Sequence, residues 1–341
     1  MINSATRNFA SRSPLTTIGC LAILMTSFAG CTPPGSFKVT SIPNDRSLEE
    51  TLIQRAGGFV SDRIAVIDIS GVLMNGRING LLSEGEHPVS LTVEQLDKAA
   101  CDKRVKAIVL RINSPGGSVT ASDMLHHEIA KFREHTGKPV VAYFQDVAAS
   151  GAYFLACASD EIIAQRTSVT GSIGVIMLMV NMQGTLDYIG VRTDAITSGA
   201  YKDAGSPFRT MKADERKLFQ QMVDNFYNQF VDVVDAGRPS LTREQVLTIA
   251  DGRVYTASQA LDNGLVDQIG TFDDAVQAAC MRAGVEKANV VRYHRPLAWV
   301  PNAYAGNPAG APAASTINLL NIDVSSMWTR HPRFMYIWCM R

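Results

Sequence analysis

The 341-residue sequence has no excess of either charge, with 32 Lys and Arg against 32 Asp and Glu. It also lacks any Lys- or Arg-rich block, so it offers no electrostatic footprint for nucleic acid. Its six cysteines include no C-x-x-C pair, and neither a zinc site nor a dithiol redox motif is indicated. Cys101, Cys157, Cys280 and Cys339 are widely spaced and read as packed thiols. An exported location would permit a disulfide, but the spacing does not say which pair would meet. There is no G-x-S-x-G. Of the six histidines the one adjacent pair, His126 and His127, falls among polar residues and reads as solvated helix surface. A histidine-based triad is therefore not visible. What is present, 46% apolar residues with balanced charge, describes a globular protein.

The first thirty residues carry Arg7 and Arg12, no acidic residue, and an apolar run from about Leu15 to Gly30. That is the pattern of a secretory signal. The run is shorter than the ~20 residues that a spanning helix needs, although an uncleaved anchor stays open as an alternative. Phe28-Ala29-Gly30-Cys31 resembles the bacterial lipoprotein box, in which cleavage leaves the cysteine as the lipid-modified first residue. The expected organisation is a signal peptide over 1–31, a Pro/Gly/Ser-containing tether over 32–60, a folded domain over 61–297, and a Pro/Ala-rich linker with a closing aromatic segment over 298–341. The aromatic segment, around Phe334 to Trp338, must dock somewhere, since an exposed row of that kind would be sticky.

Within the folded part, apolar runs at Ile64–Ile69, Val105–Ile112 and Pro139–Phe144 alternate with helical patterns at 92–103 and 120–135, with Thr92 as a candidate N-cap. Strands alternating with helices argue for an α/β fold of repeated βαβ units around a parallel sheet. Further strands are expected at 160–165, 175–180, 191–197 and 290–293. From Met211 to about Ala236 apolar residues recur every four, giving a long helical arm whose stripe is core or subunit interface.

Three stretches suggest chemistry. Ser150 sits at a strand-to-helix junction in Asp146-Val-Ala-Ala-Ser-Gly-Ala-Tyr153, where helix N–H groups favour developing negative charge. A plain N-cap serine is the bland reading of the same residue. Asn113-Ser-Pro-Gly-Gly117 places two glycines after a strand, so that backbone N–H groups can face a ligand; a tight turn is the alternative. A serine without histidine needs another base. Lys202, in the Gly-rich loop 197–208, can serve if burial holds it neutral, with Val175–Val180 and Phe208 as candidate walls.

Asn113-Ser-Pro-Gly-Gly117, Ala148-Ala-Ser-Gly-Ala-Tyr153, Thr170-Gly-Ser-Ile-Gly174 and Ser198-Gly-Ala-Tyr-Lys-Asp203, in this order, resemble the signal peptide peptidase A group of the S49 serine peptidases. The resemblance implies a ClpP/crotonase-like fold with Ser150 as nucleophile and Lys202 as general base. It further implies Ser172 as the hydroxyl that orients the lysine, and the N–H groups of Gly117 and Gly151 as oxyanion hole. Ala152 stands where the family often has Gly. No metal or organic cofactor is implied. The implied partners are peptides, such as signal peptides left in a membrane, and further copies of the chain in a ring. A lipid on Cys31 would hold the enzyme to a bacterial envelope membrane on its extracytoplasmic side. A crotonase-like acyl-CoA enzyme and a non-catalytic lipoprotein scaffold are the rival readings.

Overall fold

A computed structural model of the chain describes residues 47–76, 86–296 and 334–338. Its centre is built from three apolar runs, β2 (Arg63–Ser70), β3 (Val105–Ser114) and β5 (Val140–Ala149). Runs of this kind belong in strands covered on both faces. Alternate residues do enter separate cores. Ala65, Ile67, Ile108 and Leu110 point to one face, and Ile64, Val66, Ala107 and Val109 to the other. Helices α1 (Pro88–Cys101) and α2 (Val119–Thr136) close the first face, and α8 (Phe272–Arg282) closes the second.

The sheet extends on both sides of these strands through β1 (Glu49–Gln54), β6 (Glu161–Ala164), β10 (Gln268–Ile269) and β11 (Asn289–His294), in the order β1-β11-β2-β3-β5-β6-β10. In this order every pairing is parallel except β1 with β11, at the edge. Near the end of β5 a further strand, β7 (Val169–Gly171), runs parallel to Val147–Ala149 and pairs on its other side with β9 (Val254–Thr256). A separate three-stranded sheet sets β12 (Phe334–Ile337) between β4 (Gly116–Ser118) and β8 (Ile176–Met177). Smaller helices are α3 (Gly151–Ala156), α4 (Gln183–Tyr188), α6 (Arg243–Ile249) and α7 (Ala257–Asp262). The long arm is α5 (Ala213–Gly237), in which Phe230, Val231 and Val234 are buried while much of the first half is exposed.

Four local expectations change. α1 starts at Pro88, because Pro at the first helical position is pre-set for a helix and the His87 ring accepts from Ser90 N–H as the cap. Thr92 instead lies inside the helix, its hydroxyl bonded to Pro88 O at 3.1 Å. Residues 191–197 form no strand, since no neighbouring chain there completes a ladder, and of 175–180 only Ile176–Met177 pair. Residues 49–54, inside the stretch expected as a tether, are the edge strand β1, anchored by the buried Leu48. Cys31, the signal segment and the 298–333 linker lie outside the described residues. Among the described residues no helix is long and apolar enough to cross a membrane.

Candidate active site

β5 delivers the chain to Ser150 and α3 carries it away. The Ser150 N–H donates to Gly171 O of β7 at 2.7 Å, and the Ser150 carbonyl accepts from Phe154 N–H at 2.9 Å as the first turn of α3. Caught between these bonds, Ser150 has φ 55° and ψ −117°, a region that non-glycine residues rarely enter. An N-cap serine would be extended, with its hydroxyl turned back to the helix N–H groups. Ser150 makes no such bond, is 1% exposed, and its Oγ has no hydrogen-bond partner. Backbone strain and an unpaired buried hydroxyl each cost stability, and their coincidence on one serine points to chemistry rather than capping.

β4 forms the facing wall. Leu73 N–H donates to Gly116 O at 2.9 Å, and Ser118 N–H donates to Leu73 O at 2.8 Å, so Gly117 is pressed against the Leu73 backbone. A Cβ on Gly117 would overlap that backbone, and one on Gly151 would overlap the buried Ser122 hydroxyl. Glycine at both positions allows the close approach. Gly117 N lies 3.2 Å from the place a Gly151 Cβ would take, so the two glycines border one spot beside Ser150.

That spot holds a peptide carbonyl from the chain's own C-terminal strand. β12 runs antiparallel to β4 with Tyr336 opposite Gly117, and Trp338 N–H donates to Pro115 O at 2.9 Å. In an antiparallel ladder the bonded pairs alternate, so Tyr336 and Gly117 form the next bonded pair and Gly117 N–H meets the Tyr336 carbonyl. The same carbonyl oxygen is 3.0 Å from the Gly151 Cβ position. The Tyr336 ring is fully buried against Phe154 and Phe230, with centroids 5.2 and 4.7 Å away, and its hydroxyl donates to Phe226 O at 2.7 Å. The sequence showed that this aromatic segment must dock but not where.

Ser172 joins the site from β7. It is 7% exposed, has φ 50°, donates from its N–H to Arg253 O at 2.8 Å, and follows the Gly171 that holds Ser150. Ser150, Gly151, Gly117 and Ser172 are thus assembled together. Lys202 is not brought to them. It is exposed, in a run of turns from Gly199 to Gly205, with no hydrogen bond to Ser150 or Ser172 among the described residues. The expected burial fails within one chain because the 178–205 segment stands off the sheet. Leu178 and Val180 are exposed, and a Cβ on Gly205 would meet Met179 and Phe219 of α5.

His126 also departs from expectation. Its ring is half-buried and meets Phe154 edge-on at 5.3 Å, and burial lowers its pKa from the ordinary value. Cys157 and Cys280 are buried and Cys101 is exposed; none of these three is in a disulfide. Burial pushes the Cys157 thiol up to about 12, which leaves it unreactive. Cys339 lies outside the described residues. Among the described residues no group of three or more His, Cys, Asp or Glu is arranged to hold a metal ion.

Comparison with known proteins bears on this geometry. The sequence matches the family described as Peptidase family S49 over residues 132–286, and the Clp protease family over residues 61–187. It is 33% identical over 292 residues to an Enterococcus faecium protein whose name gives it as a signal peptide peptidase SppA, covering 84% of this chain and 83% of that one. It is 34% identical to Protease 4 of Haemophilus influenzae, over 64% of this chain and 35% of the relative. To the chloroplastic serine protease SPPA of Arabidopsis thaliana it is 32% identical, over 72% of this chain and 36% of the relative. The Clp protease match, with the parallel sheet and its helical layers, gives the ClpP/crotonase-like α/β fold.

Proposed function

Because the chain belongs to peptidase family S49, we propose that it is a serine endopeptidase with Ser150 as nucleophile and Lys202 as general base. The observation that carries this reading is the unpaired Ser150 hydroxyl beside a peptide carbonyl that is already seated at Gly117. An extended segment added to the edge of β4 is the way a sheet edge takes a peptide, by main-chain bonds with pockets for alternate side chains.

In the reaction, the neutral Lys202 amine takes the Ser150 proton as Oγ bonds to the scissile carbonyl carbon. The resulting oxyanion is held by the N–H groups of Gly117 and Gly151. The lysine ammonium then gives its proton to the leaving amine as the C–N bond breaks, leaving an ester on Ser150. A water, deprotonated by the same lysine, attacks the ester and releases the acid and the free serine. Ser172 hydrogen-bonds the amine and orients it.

This chemistry needs a desolvated Lys202. The exposed segment that carries it also exposes Leu178, Val180, Tyr188, Ile189, Ile196 and Tyr201, more large apolar side chains than a solvated segment needs. The reading is that further copies of the chain cover this segment in a homo-oligomer and complete the site. Substrates are membrane-associated peptides such as cleaved signal peptides, in keeping with the Enterococcus faecium relative's name and with a lipid anchor at Cys31 on the extracytoplasmic side of a bacterial envelope membrane. A fluorophosphonate probe tests the nucleophile. It should label Ser150 alone, as located by peptide mass mapping, and Ser150→Ala should take no label and cleave no peptide. Labelling at another serine would remove the proposal.

A further inference from the structure

The lysine-bearing turns are tied down by one side chain. Beyond the segment's own turn bonds, such as Lys202 N–H to Gly199 O at 3.1 Å, the hydrogen bonds that reach residues 199–205 among the described residues come from Arg209. Its Nε donates to the Asp203 carboxylate at 2.7 Å and Nη2 to the Asp203 carbonyl at 3.1 Å. Nη1 donates to Thr210 O at 3.1 Å and to Glu215 Oε2 at 3.0 Å, and Nη2 also bonds Glu215 Oε1. All five guanidinium donors are engaged. Glu215, with a fully buried side chain, is fixed in turn at the start of α5, where it accepts from Lys212 N–H at 3.2 Å in a capping box.

We propose that Arg209 is a positioning residue for Lys202, transmitting the register of α5 to the lysine through Asp203 and Glu215. The proposal rests on Lys202 being the general base. A planar fork can hold two carboxylates and two carbonyls at once; a lysine at 209 has three donors on a point charge and cannot. The charged groups around the turn are Asp203, Arg209, Lys212 and Glu215, and Asp203 and Glu215 are held below the usual carboxylate range chiefly by their bonds to Arg209. Loss of the guanidinium leaves two acids facing one remaining cation, Lys212. The added negative potential favours the ammonium form of Lys202.

The test is peptide hydrolysis by the full-length enzyme, as kcat and KM against pH, for Arg209→Gln, Arg209→Lys and Lys202→Ala. Arg209→Gln should lose on the order of 10²-fold in kcat with KM within about twofold, the scale of a catalytic group misplaced by about 1 Å. The rising limb of its pH profile should shift to higher pH, which a merely structural residue would not do. Arg209→Lys should recover little. Since an unpaired buried Glu215 could unfold the chain, an Arg209→Met/Glu215→Met double variant removes both charges while keeping apolar volume. It should melt near the wild type and be just as slow. Wild-type kcat and pH profile in Arg209→Gln or in the double variant, with Lys202→Ala inactive, overturns the clamp alone. Turnover in Lys202→Ala overturns both the clamp and the dyad.

Discussion

A residue held at φ 55° and ψ −117°, as Ser150 is, carries about 1–3 kcal/mol of backbone strain. Glycine carries no such penalty at positive φ. Ser150→Gly and Ser150→Ala should therefore both abolish turnover, while Ser150→Gly is the more stable by about 1 kcal/mol. Calorimetric melting of the two variants reads this directly, and equal melting points would mean the backbone is unstrained. The second prediction at this scale concerns the base. Lys202→Arg should be as inactive as Lys202→Ala because arginine keeps its proton, and Ser172→Ala should be slow but alive. In the wild type kcat/KM should rise with pH as the amine is freed; appreciable turnover by Lys202→Arg would return the search to histidine. While the residues alone left an N-cap serine and a tight turn open, that Ser150, Gly117 and Ser172 come together was legible from the resemblance carried by their short motifs. The strain at Ser150 was not, since it is imposed by the bond to Gly171, 21 residues along the chain on a neighbouring strand. Nor was the exposure of Lys202 legible, which depends on what the 178–205 segment packs against.

Among the elements, β12 is the one whose removal is most informative. Its Tyr336 carbonyl occupies the Gly117 N–H and its ring fills the space between Phe154 and Phe230, so an incoming peptide has to displace it. A tethered competitor acts at an effective concentration on the order of millimolar. A chain ending at Arg333 should accordingly show a lower KM, and kcat/KM higher by roughly tenfold, for a synthetic peptide with an aromatic residue at the matching position. Were β12 a permanent wall, the truncated chain would expose two phenylalanines, melt lower and hydrolyse more slowly; Tyr336→Ala should fall on the same side as the truncation. The central strands were readable from composition alone, because a strand buried on both faces has little freedom in its residues, as β3 shows with Ala107 to Ile112 buried throughout. Elements stabilised by distant partners were not. The start of α1 is set by Pro88 and His87 rather than Thr92, β1 exists because β11 offers it an edge, and 191–197 has strand-like residues but no edge to join.

At the scale of the whole molecule, if Lys202 is the base, its exposure on one copy leaves the peptidase inactive until something dries it. The candidate for that role is the chain itself. The exposed apolar residues from Leu178 to Tyr201 lead up to Lys202 on the same segment, and burying apolar area yields about 25 cal/mol per Å², so association through this segment would also desolvate the lysine. Such an arrangement would keep single copies silent and confine cleavage to assembled particles. Two consequences can be measured on the same preparation. Light scattering should find a homo-oligomer, and specific activity per subunit should fall on dilution in step with the loss of mass. Val180→Glu or Ile196→Glu, each at an exposed position that touches neither Ser150 nor Gly117, should leave the melting of the single chain unchanged while lowering both mass and activity. A monomer with full activity, or a Glu variant that dissociates yet still cleaves peptide at the wild-type rate, would mean that Lys202 is dried within its own chain and that the apolar patch serves another partner.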